Sequence, residues 1–261
     1  MGIPRKQKPS PAEGEFLFQI DPEPLEECVT VYAGLPLFLQ AARLLDVPGR
    51  VKEHLQIKQR QRGLDEAGYV ESFLVLHALG GDCLEDFERL REDEGLAEML
   101  GHDIPSCEVA RKFLYQFHDE SKVEQAQKEL PVGQVSDIAE ESAALLALAQ
   151  VNQEMVQEIG RRCAEQKIAT VDLDSTIIES EKREAQPTYQ GASGYQPMLA
   201  LWAEMNLVLA DEFRDGNVPA QKEPLGCGAA RVCCAADDSP GVLFPRGFGL
   251  LGKGTAELAA R

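Results

Sequence analysis

Two aspartates in the segment TVDLDST (170–176) have the residue type and spacing that most directly predict chemistry. Residues two apart on a β-strand project from the same face, so Asp172 and Asp174 are expected side by side near the carboxyl end of a strand. Carboxylates that lose water need a cation to neutralise them, and a hard divalent ion such as Mg²⁺ prefers oxygen ligands. Two such ions can activate an attacking oxygen and stabilise a leaving one in phosphoryl transfer. The pair therefore predicts a metal site for phosphate chemistry.

The same strand has two other interpretations. Acidic pairs at strand ends also cap the following helix or face solvent. An Asp-x-Asp-x-Thr strand is also typical of phosphatases with an aspartyl nucleophile, in which Asp172 would attack the phosphate. The downstream Ser/Thr and Lys motifs of that class are missing here, which disfavours the phosphatase.

The charge of the chain is unevenly distributed. A net charge of −18 by itself opposes DNA binding, because affinity for phosphate comes from Lys and Arg. Two basic islands interrupt the acidic sequence, a small one at 5–8 and a larger one at 50–62 that contains a single acid. The candidate DNA contacts are three cations of the larger island and two cations that follow the aspartates: Lys58, Arg60, Arg62, Lys182 and Arg183. Solvated surface charge is the alternative interpretation.

Other site chemistries have little support in the sequence. The seven cysteines are odd in number and lack CxxC spacing, which disfavours a disulfide framework and a zinc site. The four histidines lie in the first half of the chain, away from any candidate nucleophile. No apolar run approaches the ~18 residues of a membrane helix and no signal peptide is recognisable, so a cytoplasmic location is expected.

The first half of the chain is predicted to be helical. Residues 1–24 are rich in Pro, Lys and Glu and are expected to form a flexible tail, and 25–133 an all-α domain that is a candidate for DNA binding. A turn is expected at Pro48-Gly49 and a helix end at Gly80-Gly81. Asp82 and Ser106 are expected to cap the helices that follow them.

The second half is predicted to open an α/β domain, which spans 134–225. A long helix is expected over 134–166, a buried strand over about 167–174, and a polar loop over 180–194. Two further strands should follow, joined by a tight turn at 204–206. The 36 residues of 226–261 contain seven Gly and seven Ala without strand or helix periodicity. They are interpreted as an out-of-frame tail, with a natural glycine-rich tail as the alternative.

Several ordered motifs resemble one family. They are YAGLPLFLQAARLL (32–45), LHALGGDCLEDFERLRED (76–93), IPSCEVARKFLYQF (104–117), TVDLDSTIIES (170–180), KREA (182–185), YQGASGYQPMLALWAE (189–204) and FRDGNVPA (213–220). Together they resemble the DDE transposases of bacterial insertion sequences, in the group numbered thirteen-eighty, over roughly residues 25–225.

The resemblance implies an α/β catalytic domain of the ribonuclease H-like type, here incomplete, after an all-α domain. It implies a two-metal Mg²⁺ site with three separated acids, the first at Asp174 with Asp172 as its strand neighbour. Asp215 is acidic and near Gly-Asn, but the family's second acid lies later, in an Arg-x-Asp-Ser-type motif that 226–261 lack. The chain is therefore expected to be a truncated transposase that is inactive alone.

The resemblance also implies partners. Double-stranded DNA at element ends is expected, with a homodimer or a heteromer with full-length transposase, and no membrane. The alternative function is a non-catalytic DNA-binding fragment that competes with the full-length enzyme, which the basic islands favour.

Overall fold

Short helices occupy the first part of the chain, as seen in a computed structural model that describes residues 29–58, 62–129, 138, 140–163, 165–166, 169–222 and 242–243. The helices are α1 (Leu35–Leu44), α2 (Val47–His54), α3 (Glu66–Ala78), α4 (Asp86–Arg91), α5 (Glu94–Leu100), α6 (Cys107–Leu114), α7 (Glu120–Glu129) and α8 (Ala143–Arg162), with a 3₁₀ turn at Tyr115–Phe117. The strands are β1 (Ala169–Ser175), β2 (Ile178–Glu179), β3 (Gln186–Pro187), β4 (Ser193–Tyr195), β5 (Met198–Trp202), β6 (Leu207–Glu212) and β7 (Val242–Leu243). The prediction of a helical part followed by a mixed α/β part is confirmed.

Polar caps set several helix ends, though not all at the predicted residues. The Ser106 hydroxyl accepts the Val109 N–H at 3.4 Å, and Gly80 adopts a positive φ of 79° after α3, both as predicted. The predicted turn at Pro48-Gly49 is wrong, because both residues lie in the first turn of α2 and the chain reverses at Asp46, whose φ is 51°.

Two further sequence predictions differ from the structure. The Asp82 cap is wrong, because the carboxylate of Asp86 instead accepts the Asp82 backbone N–H at 3.1 Å. Helix α8 begins at Ala143 rather than at 134, because the Ser142 hydroxyl accepts the Leu145 N–H at 3.2 Å and so caps the first turn. Residues 134–137 lie outside the described part of the chain.

Helix α8 belongs to two hydrophobic cores. Its first half, through Ala144 and Val151, packs in the helical core with α2 and α3, and Val156 in its second half packs against the sheet. The Asn152 side-chain amide also donates to the backbone carbonyls of Val208 and Leu209 on β6, at 3.0 and 3.3 Å. One helix thus joins the helical part to the sheet.

The main sheet has the strand order β6-β5-β1-β7. Strands β1, β5 and β6 pair antiparallel in sequence order. The prediction of a tight turn between the last two strands is confirmed, and this turn includes Asn206 with a φ of 52°. The predicted polar loop over 180–194 instead contributes β3 and part of β4, which form a second, three-stranded sheet with β2. Among residues 226–261 the structure describes only Val242 and Leu243, which pair parallel with the start of β1.

No helix in the described part of the chain is both long enough and apolar enough to cross a membrane.

Candidate functional site

Strand β1 presents its two aspartates on one face. Val171 and Leu173 are 0% and 5% exposed in the core beneath the sheet, whereas Asp172 and Asp174 between and after them are exposed. The alternation follows from the two-residue period of a strand. The prediction that both carboxylates share a face is confirmed.

The neighbouring strands supply leucines and one more acid to this face. In the antiparallel register Leu201 lies opposite Asp172 and Leu199 opposite Asp174, and Asp211 on β6 lies opposite Leu199. Strands are spaced by about 4.8 Å, so the backbones of Asp174 and Asp211 are about 10 Å apart. Among the described residues, Asp211 does not form a group of close metal-ligand atoms with Asp172 and Asp174.

The exposure of the aspartates changes the argument for a metal. The expectation of a bound cation requires that both carboxylates leave water. Both are exposed instead, and Asp174 accepts the backbone N–H of Ser175 at 2.9 Å. An exposed carboxylate stays hydrated without a cation. The two side chains still offer oxygen ligands, which suit one Mg²⁺ ion that keeps most of its water.

A different group of metal-ligand side chains lies in the helical part. Asp82, Cys83 and Asp86 are the one group of three such residues with close ligand atoms in the described ranges. Asp86 accepts the backbone N–H groups of Asp82 and Cys83, at 3.1 and 3.3 Å, and these hydrogen bonds lower the pKa of its carboxyl group. The cluster is thus explained as a turn that leads into α4. This turn was not predicted from the sequence, because Asp86, which accepts the N–H groups, follows Asp82 and Cys83 in the chain.

Asp215 lies in the loop that follows β6. It forms an isolated β-bridge with Tyr195 and is half-buried, so that desolvation raises the pKa of its carboxyl group. Among the described residues it forms no metal-ligand group with Asp172 and Asp174.

The basic island at 50–62 is largely engaged in structural contacts. Arg50 forms an ion pair of 2.6 Å with Glu154 on α8, and Lys52 forms one of 3.1 Å with Asp65. The ammonium group of Lys58 donates to the carbonyls of Arg62, at 3.1 Å, and of Leu64, and it lies 5.8 Å from the ring centroid of Tyr69. Lys58 therefore fastens the loop before α3.

Three of the predicted DNA contacts are exposed cations. Arg62 is exposed and forms no ion pair with the residues that the structure describes. Lys182 and Arg183 are exposed in the turn between β2 and β3, where the Ala185 N–H donates to the Lys182 carbonyl at 3.0 Å. Arg60 lies outside the described residues. Of the four candidates that the structure describes, Lys58 is engaged in structural contacts and the other three are exposed, one in the helical part and two beside the small sheet.

Comparisons with protein-family models, with curated proteins and with solved structures find no match to this chain. The transposase resemblance stays a prediction.

Proposed function

We propose that this chain carries the opening part of a DDE transposase catalytic domain, with Asp174 as its first acid and Asp172 as a neighbouring ligand. The observation that carries the proposal is the exposed Asp172–Asp174 pair on β1, a strand with neighbours on both sides. The ribonuclease H-like assignment is part of this proposal.

The position of β1 supports the assignment. It lies between an antiparallel neighbour, β5, and a parallel one, β7. Parallel neighbours require a long crossover connection, and a sheet of this kind is expected where helices cover an α/β domain. Open α/β sheets bind their ligands outside the carboxyl ends of inner strands, and Asp174 lies one residue before the end of β1.

The number of acids limits the reaction that this chain can perform. Asp172 and Asp174 would hold Mg²⁺, which in this class of enzyme supplies Lewis-acid activation of oxygen at a phosphate. Straddling a scissile phosphate with two ions requires further carboxylates from other strands, and among the described residues neither Asp211 nor Asp215 forms a metal-ligand group with Asp172 and Asp174. Residues 244–249, FPRGFG, which follow β7 in sequence, contain no acid. We therefore expect metal and DNA binding but no strand cleavage from the 261-residue chain.

A second candidate function is a DNA-binding fragment without catalysis. It is favoured by the exposed cations Arg62, Lys182 and Arg183 together with the incomplete set of acids. In that case DNA affinity would depend on these cations and would fall steeply with salt, because binding releases counterions from the phosphates.

Mn²⁺ binding, followed by the loss of the free-ion electron paramagnetic resonance signal, tests the leading proposal. We expect the intact chain to bind one Mn²⁺ weakly and Asp174→Asn to reduce affinity about tenfold. The matched control is Asp211→Asn, which removes an acid from the same face two strands away and should leave affinity unchanged. Equal Mn²⁺ binding by the chain and Asp174→Asn would refute the metal assignment.

DNA binding and cleavage are measured in parallel on a duplex that ends in an inverted repeat. The chain should bind it at low salt, and the Lys182→Ala and Arg183→Ala double variant should weaken binding. Mn²⁺ binding without DNA binding would leave the metal site standing but contradict a transposase, and DNA binding without Mn²⁺ binding would favour the non-catalytic fragment. Strand cleavage with Mg²⁺ by the intact chain would contradict the expected inactivity.

A further inference from the structure

A cavity of about 550 Å³ lies at the carboxyl end of β1, between the small sheet and the loop that follows β6. Its walls include an exposed aromatic ring, three side-chain amides and two hydroxyl groups, from Tyr189, Gln196, Asn217, Gln221, Ser175 and Thr188. None of its 11 lining residues is charged. Small-molecule pockets commonly measure about 300–1,000 Å³, so the cavity is large enough for an organic group.

The floor of the cavity is fixed by a buried amide. Gln196 is 3% exposed. Its side-chain amide donates at 3.2 Å to the hydroxyl of Ser175, which is the last residue of β1. Its backbone N–H donates to the Arg214 carbonyl at 2.8 Å. One residue thus ties the strand that carries Asp174 to the loop that forms the opposite wall.

The loop wall is also held in place. Arg214 is 1% exposed, and its guanidinium donates to Glu212 and, at 2.7 Å, to the Lys222 carbonyl, which closes the loop 214–222. Gly216 approaches the small sheet so closely that a Cβ atom would lie 2.5 Å from the Gly194 carbonyl oxygen. A wall held by backbone contacts and a buried guanidinium is preorganised for a ligand.

The mouth of the cavity carries the aromatic ring. Tyr189 is 77% exposed and lies in a turn closed by the Gly191 N–H, which donates to the Thr188 carbonyl at 3.0 Å. An aromatic ring held in the open by a turn offers a stacking surface to any planar group. Amides next to such a surface match the donor and acceptor edges of nucleobases, and an uncharged lining suits a base rather than a phosphate.

We propose that this cavity binds one unpaired nucleobase of a DNA strand held by the chain, with the base stacked on Tyr189 and its edge against the amides. The proposal rests on the proposed function for the identity of the strand. A base inside a duplex is stacked and paired, so entry costs least for a base that is already unpaired. The cavity would thereby hold a strand end at the carboxyl end of β1.

The test uses 2-aminopurine, whose fluorescence falls when it stacks. The intact chain is titrated into 2-aminopurine riboside, and into a duplex with a three-nucleotide overhang that carries 2-aminopurine and a dye at its far end. We expect quenching in both titrations. Tyr189→Ala should weaken it about tenfold and Tyr189→Phe should preserve it, because stacking needs only the ring.

Two further variants control for indirect effects. Tyr115→Ala removes a tyrosine that is also largely exposed, at 69%, but lies on the helical part, and should change nothing. Ala220→Trp, at a partly exposed lining position, should fill the cavity and abolish quenching. Absence of quenching, or quenching insensitive to both Tyr189→Ala and Ala220→Trp, would overturn the proposal.

The dye separates this proposal from the proposed function. A rise in dye anisotropy without quenching of 2-aminopurine means that the chain binds DNA but not through the cavity. Quenching of the riboside without a rise in anisotropy means that the cavity binds a base while the assignment to DNA transposition fails.

Discussion

The ion-pair cluster between α2 and α8 is expected to stabilise the folded chain, and replacing its central carboxylate tests this. Glu154 on α8 accepts from Arg50 at 2.6 Å, forms a hydrogen bond of 2.9 Å with His54, and accepts from Gln150 at 3.1 Å. The side chains of Glu154, Arg50 and His54 are only 19–23% exposed. Burial raises the pKa of Glu154, but the hydrogen bonds from Gln150 and Arg50 and the nearby His54 outweigh it, so the pKa is lowered.

The expected cost of Glu154→Gln follows from these contacts. Hydrogen bonds to charged groups contribute about 1.5–3 kcal/mol, and a fifth of the surface remains in water, so we expect a loss of about 2 kcal/mol in the free energy of unfolding. The assay is urea unfolding followed by circular dichroism at 222 nm. The control is Glu108→Gln on α6, whose exposed ion pairs with Arg111 and Lys112 should contribute less than about 0.5 kcal/mol.

The stabilisation by Glu154 should also depend on pH. Because the folded-state pKa of Glu154 is lowered from 4.5, its contribution is present above that value and is lost as the pH falls through the folded-state pKa. The difference between the chain and Glu154→Gln should therefore shrink as the pH falls below 4.5. A loss no larger than that of Glu108→Gln, or a difference that persists in acid, would refute this reasoning.

Three further predictions use the same unfolding assay. The pKa of His102 is raised, mainly by its hydrogen bond to Glu71, although burial acts in the opposite direction. The protonated imidazole therefore stabilises the fold fully below pH 6.5, and this stabilisation is lost as the pH rises through the folded-state pKa. His102→Gln should remove this pH dependence, and an unchanged pH profile of stability would contradict the assignment to His102. Gly216→Ala should cost about 1–3 kcal/mol, because its Cβ would meet two backbone carbonyl oxygens at 2.5 and 2.6 Å; full stability would show that the loop can move away. Replacing Asp172 and Asp174 together by Asn should not lower stability, because both are exposed, and a clear loss would indicate a structural role.

Local sequence signals predicted the parts of the fold that depend on neighbours in the chain. The alternation of apolar and acidic residues in β1 predicted which side chains are buried and which are exposed. Two apolar runs separated by a short polar segment that contains Asn206 predicted the hairpin of β5 and β6. Ser106 was recognisable as a cap because an apolar helical pattern follows it. In each case the signal lies in consecutive residues of one segment, so it could be recognised without knowing what packs against that segment.

Features that depend on distant contacts were not predictable. Strands β2 and β3 have two residues each, too few for a period, and exist through pairing with β4. The engagement of Lys58 by the Arg62 and Leu64 carbonyls could not be read from its charge. The cavity is formed by residues from 175 to 221, so no single motif marks it.

The shared helix α8 has a consequence for how the chain folds. The hydrophobic contacts of Val151 belong to the helical core and those of Val156 to the sheet, only five residues apart on one helix. Fraying of α8 from either end therefore removes packing contacts from one core and shortens the helix that packs in the other. The helical part and the sheet should lose amide protection against hydrogen exchange together, as one cooperative unit rather than as two independent domains.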